Sequence, residues 1–472
     1  MIFSSYSFLG FLVIVFFGYY LFNQFNKTNL SKIWLVLSSF YFYGQGSFKF
    51  LPFFIFTVFF NYVAGTLIIR QHIPWKKKLL FAIGLGENLL LLGYFKYINF
   101  FFENINGIFS TQYYISDIIL PIGISFFTFQ LIAYIVDCYR GETQEYSMVN
   151  YLLFITFFPQ LIVGPIIHHK DIVPQFENPT NQKFNFDNIM LGLFIFSIGC
   201  AKKVLLADPL TGFAQPFFTD ITTAGFFEAN FASIAYTLSY YFDLSGYADM
   251  AIGLGLFFNV HLPQNFNSPY KSRNFRDYWR RWHISLSKFL SDYVFRSVYK
   301  KGDGSIKFYS AVMLTFLVSG FWHGAGWRFI LWGGINGLFV CGAHFMTRRK
   351  WAMPTAIAWI LTFVGIVLTR IIFVSNSTQD AILMMKKMVD ITVWNGWAKS
   401  AVLTEGLNFM VDNAYVLVLL LVSLFLAFFC KNTTQITDDF KFSKKYAIAT
   451  GILITISLFQ MSNVADFLYF QF

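Results

Sequence analysis

Apolar runs long enough to cross a bilayer recur along the whole chain, at about residues 7–25, 48–69, 118–136, 185–201, 226–242, 308–347, 355–374, 414–430 and 446–462. A bilayer core offers no water to backbone N–H and C=O groups, so a spanning segment must satisfy them internally, which roughly 20 apolar residues in a helix do. The repetition therefore gives the fold class as an all-α polytopic membrane protein. Composition closes the alternative of a soluble globule: 56% of the 472 residues are hydrophobic and only 12% are charged, too few to clothe such a core. Two further apolar pieces, 152–167 and 289–299, are too short or too broken to span and read as re-entrant or interfacial elements. No linker or low-complexity tract divides the chain, so 1–472 reads as one membrane domain.

The formal charge of +11 could suggest nucleic acid, but its distribution argues against that partner. Lysines and arginines cluster between apolar runs: Arg70 with Lys76 to Lys78, Lys202 with Lys203, Arg348 to Lys350, Lys386 with Lys387, and Lys441 with Lys444 and Lys445. Cytoplasmic loops carry this pattern. The first run has no charged side chain before Lys27 and the last begins after Lys445, so both termini are expected outside, with an even number of crossings, about ten or twelve. The first run lacks a basic lead-in and a small-residue cleavage site, so it reads as a retained helix rather than a signal peptide. Cys138, Cys200, Cys341 and Cys430 are scattered without disulfide or metal spacing and read as buried free thiols.

Within this apolar background His323 stands in the run Ser319-Gly320-Phe321-Trp322-His323-Gly324-Ala325-Gly326-Trp327. Polar groups at membrane depth normally face a bundle interior or a wet cavity, and imidazole is suited to moving protons near neutral pH. The competing reading is a histidine hydrogen-bonded between helices, with the glycines serving close packing. A second segment, Lys271 to Lys288, places Phe275, Tyr278, Trp279, Trp282 and Leu286 at helical spacing, with Arg273, Arg276, Arg280, Arg281 and Lys288 on the other faces. It predicts one basic, aromatic helix at the cytoplasmic interface. Its arginines fit an anionic-lipid anchor or a collar for a phosphate-bearing donor. His283 lies in the same segment, and the pair Trp282-His283 returns as Trp322-His323. Two histidines flanked by bulky rings could line one narrow passage from opposite sides.

Five strings along the chain carry a family resemblance: Leu120-Pro121-Ile122-Gly123-Ile124-Ser125-Phe126, Phe157-Phe158-Pro159-Gln160-Leu161-Ile162-Val163-Gly164-Pro165, Tyr241-Phe242-Asp243-Leu244-Ser245-Gly246-Tyr247-Ala248-Asp249-Met250, Trp279 to Ser287, and Ser319-Gly320-Phe321-Trp322-His323-Gly324. They resemble the membrane-bound O-acyltransferase (MBOAT) family, in its branch of alginate and peptidoglycan O-acetyltransferase membrane subunits. The resemblance implies a helical bundle around a central tunnel, with re-entrant and interfacial helices. It implies a catalytic role for His323, with His283 as the second polar position. Trp279, Trp282 and Trp322 are then expected along the tunnel, and Arg276, Arg280 and Arg281 at the donor. Asp243, Ser245, Tyr247 and Asp249 fall in a family string of unassigned role, and their carboxylates are expected to be paired within the bundle. His168-His169, where relatives often differ, lacks the spacing of a metal pair and reads as a polar loop.

The chain finishes Phe467-Leu468-Tyr469-Phe470-Gln471-Phe472. Terminal aromatics can be an interfacial belt, but the FxYxxF pattern of 467–472 also resembles the tail of the small peptide that accompanies D-alanyl transfer to teichoic acids. By that resemblance Tyr469 is an acyl relay. The implied function is transfer of an acetyl group from cytoplasmic acetyl-CoA, used as a donor and not as a permanently bound cofactor, across the bacterial inner membrane. No nucleophilic serine elbow and no sizeable outer domain is evident, so a periplasmic SGNH or serine hydrolase-like partner is expected to acetylate the polysaccharide. D-alanyl transfer from a carrier protein is the alternative enzyme; a proton-coupled transporter would need corresponding repeats, and none is found.

Overall fold

A computed structural model describes residues 2–116, 118–390, 398–438 and 440–461, with side chains at 47 and 398–403 left aside. The tail 467–472, and Tyr469 with it, lies outside the described residues. Among those described, every regular element is a helix. The α-helices run α1 (Tyr6–Gln24), α2 (Thr28–Ser47), α3 (Leu51–Arg70), α4 (Pro74–Leu92), α5 (Ile98–Phe109), α6 (Ile124–Arg140), α7 (Met148–Thr156), α8 (Phe158–Leu161), α9 (His169–Glu177), α10 (Phe186–Ala201), α11 (Asp208–Thr219) and α12 (Phe226–Phe257). They continue through α13 (Phe275–Arg281), α14 (Ile284–Leu290), α15 (Arg296–Val298), α16 (Ser305–His323), α17 (Trp327–Arg348), α18 (Thr355–Val374), α19 (Thr378–Met388), α20 (Ala398–Asp412), α21 (Ala414–Phe429), α22 (Thr433–Thr437) and α23 (Lys444–Gln460).

Among the described residues, seven helical segments are long and apolar enough to cross a membrane, or up to eight if the pair Thr404–Asp412 and Ala414–Phe429, bent by 79°, counts as one. The count falls below the expected ten or so for local reasons. The run at 118–136 became the 17-residue α6, and the run at 226–242 became part of the 32-residue α12, whose apolar sequence is interrupted by Ser, Asp and Gly. The run at 308–347, by contrast, supplies two of the seven, because the backbone extends at Gly324 and Gly326 between two helices.

Internal contacts divide the chain into two compact units. The first comprises Met1–Ile198, Tyr247–Gln264 and Phe440–Ile452. Its centre is α6, buried on nearly every face, the polar Ser125, Thr128, Gln130 and Asp137 included, and packed against α3 and α4. Gly192 of α10 and Gly253 of α12 let two backbones touch: a Cβ on either would collide with the other's carbonyl oxygen. The short piece expected at 152–167 holds the buried α7 and α8.

His169 does not sit in a polar loop. It opens α9 with no exposed surface, because its ring is satisfied on both sides. Nε2 lies 2.9 Å from the buried Asp137 carboxylate, and the Tyr146 hydroxyl lies 2.8 Å from Nδ1. Hydrogen bonds on both ring nitrogens offset the desolvation of a fully buried imidazole.

The second unit comprises Gly199–Gly246, Asn265–Asp439 and Leu453–Phe472. Its tightest pairing is α16 on α17. A Cβ at Gly320 would strike the Phe329 carbonyl, and one at Gly333 would strike the Phe316 carbonyl, so bare glycines set the distance between these helices. The role of Asp243 is also visible: Lys203 Nζ lies 2.8 Å from its carboxylate and 2.8 Å from that of Asp208, all three buried.

Candidate functional site

His323 is the last residue of α16 and is 7% exposed. The glycine contacts bring the start of α17 against this end of α16, and three rings close around the imidazole. Centroid distances are 4.8 Å to Trp322, 5.1 Å to Trp332 and 5.1 Å to Phe373 of α18. Trp332 in turn meets Trp279 of α13 at 5.6 Å. The walls are thus apolar faces from four helices.

The expected helix over 271–288 is broken. A 3₁₀ turn at Pro269–Lys271 precedes α13, and α13 ends before Trp282. His283 then takes a left-handed conformation with φ 46° and ψ 57° before α14 begins. Such a φ is uncommon in a residue with a Cβ and persists only where surroundings enforce it. The buried Asn265 enforces it here: its carbonyl accepts from Ile284 N at 2.9 Å, and its side-chain oxygen accepts from Ser285 N and Ser285 Oγ, both at 3.0 Å. Helical spacing holds within each piece, which is why the sequence pattern hid the break.

Burial, 4% exposed, pushes the His283 imidazole down to about 4. The ring is therefore neutral at physiological pH and suited to directing a hydrogen bond rather than supplying charge. Beside it, Trp282 is buried in a stack with Tyr278 at 5.6 Å and Tyr240 at 6.3 Å. Tyr240 meets Phe373 at 5.7 Å, so a continuous aromatic wall joins the surroundings of His283 to those of His323.

A cavity of about 350 Å³ lies beside this wall, with Trp279 in its lining. Arg276, Arg280 and His344 line it together with Phe308, Trp279 and Ser319. Phe308 and Ser319 are eleven residues apart on α16, about 16 Å along a helix axis. Ser319 lies one turn before His323. The cavity thus descends from a cationic mouth, near Arg348 at the end of α17, to within a turn of the imidazole.

Of the residues singled out in sequence, Arg276, Arg280 and Trp279 line the cavity. Arg281 stands apart and pairs with Asp277 at 3.0 Å. Trp282 and Trp322 belong to the packed wall. Two residues escaped the sequence reading. His344 sits in the mouth, and Arg370 lies three residues before Phe373 on α18 at 6% exposure. The strong average hydropathy of 355–374 masked the single charge within it; scanning spans for lone ionisable residues finds it.

The profile of MBOAT, the membrane-bound O-acyltransferase family, matches residues 124–378. The peptidoglycan O-acetyltransferase of Helicobacter pylori is 38% identical over 98% of this chain and 96% of its own length. A probable alginate O-acetylase of Pseudomonas aeruginosa is 36% identical over 84% of this chain and 76% of its own. The teichoic acid D-alanyltransferase of Bacillus subtilis is 28% identical over 51% of this chain and 65% of its own.

Proposed function

This chain belongs to the membrane-bound O-acyltransferase family and is a multi-pass membrane acyltransferase, and from that premise we propose that it moves an acetyl group from cytoplasmic acetyl-CoA across the bacterial inner membrane for O-acetylation of a cell-surface polysaccharide of peptidoglycan or alginate type. The observation that carries the reading is the cavity whose cationic mouth at Arg276 and Arg280 leads to Ser319, one turn from His323. A phosphate-bearing carrier suits the cationic residues, and its thioester-bearing arm suits the apolar remainder of the cavity.

In this reading His323 is the general base. It takes the proton of an acceptor hydroxyl as that oxygen attacks the thioester carbon, and returns it to the departing thiolate. His283, neutral, orients donor or acceptor. Tyr469 is the acceptor on the outer side. A phenol of ordinary pKa about 10 is not far in basicity from a thiol near 8.5, so an acetyl-tyrosine ester keeps much of the thioester's transfer potential. The charged nucleotide then never has to enter the bilayer. A periplasmic serine hydrolase-like partner takes the acetyl group from Tyr469 to the polymer. The similarity to a teichoic acid D-alanyltransferase favours a second reading, in which the thioester is a D-alanyl carrier protein.

The test uses the full chain in liposomes with labelled acetyl-CoA on one side. Label on the peptide containing Tyr469, lost in Tyr469→Phe and in His323→Ala, is the expected result. Label arising only from a D-alanyl carrier would transfer the assignment to the second reading. Undiminished polymer acetylation in Tyr469→Phe would remove the relay.

A further inference from the structure

Arg370 is a cation at membrane depth that the steps above leave unused. It is buried at 6% exposure in α18, and among the described residues no carboxylate pairs with it. Its Nε makes no hydrogen bond, while the guanidinium reaches the Tyr278 hydroxyl. Three rings enclose it: Tyr240 at 4.0 Å, Trp282 at 5.0 Å and Phe373 at 5.3 Å. Cation–π contacts return part of the cost of desolvation, but a charge in this position is expensive to keep and marks function by default. Two of those rings are walls of the site. Trp282 precedes His283, and Phe373 packs on His323 at 5.1 Å.

We propose that Arg370 is a positioning residue for acyl transfer, the fixed counter-charge that stabilises, across the aromatic wall, the negative charge formed on the acyl oxygen and the leaving thiolate. The inference rests on the acyl-transfer reading above. In that step the acceptor hydroxyl gives its proton to His323 and its lone pair to the new C–O bond. The carbonyl π pair moves onto oxygen. Collapse restores the carbonyl and breaks the C–S bond, and the thiolate takes the proton from the imidazolium. Imidazolium and oxyanion therefore arise together in a low-dielectric medium, where a preoriented charge acts far more strongly than in water. A carboxylate beside Arg370, as Lys203 has twice over, would cancel the field; among the described residues none stands there, which leaves the field available to the reacting atoms.

The test compares the full-length protein with Arg370→Met and Arg370→Lys in nanodiscs. It follows thiol release from acetyl-CoA, its pH dependence, and the thermal midpoint. For Arg370→Met the expected result is a kcat lower by about 100-fold, with KM changed by less than about threefold. The acid limb of its rate profile moves to higher pH, and its thermal midpoint is equal or higher, because an uncompensated buried charge has been removed. Arg370→Lys keeps the charge, holds the acid limb in place and retains activity to within about tenfold of wild type. A Met variant that fails to assemble or melts earlier assigns Arg370 to architecture and overturns the inference. So does a Met variant with wild-type kcat, which leaves the acyltransferase reading intact. Absence of thiol release from the wild-type protein removes the donor reading and this inference together.

Discussion

Two regions of the molecule handle buried charge in opposite ways. In the first unit, Asp137, His169 and Tyr146 form a closed chain of hydrogen bonds. In the second, His323 is ringed by Trp322, Trp332 and Phe373, and the cation of Arg370 rests against aromatic faces with no carboxylate among the described residues. The first arrangement is optimal for holding helices together, because each polar group is satisfied at rest. The second holds the Arg370 cation against aromatic rings, and on the proposed acyl-transfer reading that charge acts on the negative charge that appears only during reaction. The Lys203, Asp208 and Asp243 cluster shows that satisfied charge exists in the second unit too. Its contrast with Arg370 is therefore local.

The comparison breaks most readily at His323. His323→Ala is expected to lower acyl transfer by about 10³-fold or more with an unchanged thermal midpoint; measurement of thiol release alongside melting decides it. Next comes Lys203→Met, which leaves two buried carboxylates without their shared cation. It should cost about 3–5 kcal/mol of unfolding free energy, read by denaturant titration. His169→Leu removes a satisfied clamp beside Asp137 and should cost about 3 kcal/mol, while activity per folded molecule stays within about twofold of wild type. A large kcat loss there would erase the distinction between the regions.

An effect of similar size, spread over a pH window, comes from His283. The His283 imidazole is held down to about 4 by burial, against an unperturbed value of about 6.5. Below 6.5 the unfolded chain binds a proton that the folded site refuses. The stability contributed by the neutral ring is thus fully present above 6.5, falls as pH drops from 6.5 to 4, and levels below that; the loss is about 3 kcal/mol. His283→Phe should flatten this part of the stability profile.

Helices, membrane class and family were legible because they depend on averages over many residues and on contiguous strings. The broken segment at His283 was not, since its cause is Asn265, a partner distant along the chain. His169 was misjudged for the same reason: its two partners, Asp137 and Tyr146, lie 32 and 23 residues away. The pairing expected of Asp243 was correct in kind, although Lys203 could not be named from sequence. Arg370 was overlooked because hydropathy averaging dilutes a single charge, even though that charge is what the bilayer makes most costly. The relay assigned to Tyr469 lies outside the described residues and stands on its sequence pattern.

The glycine seam between α16 and α17 has a consequence for acyl size. At Gly320 and Gly324 the neighbours are the Phe329 carbonyl and the Phe329 ring, so the imidazole's end of α16 abuts main chain as well as a side chain. A side chain can swing aside for a bulkier guest, whereas main chain locked in a helix cannot. On the proposed acetyl transfer, main chain held in a helix beside this end of α16 yields less readily to a bulkier acyl group than side chains would, so butyryl-CoA is expected to react more slowly than acetyl-CoA.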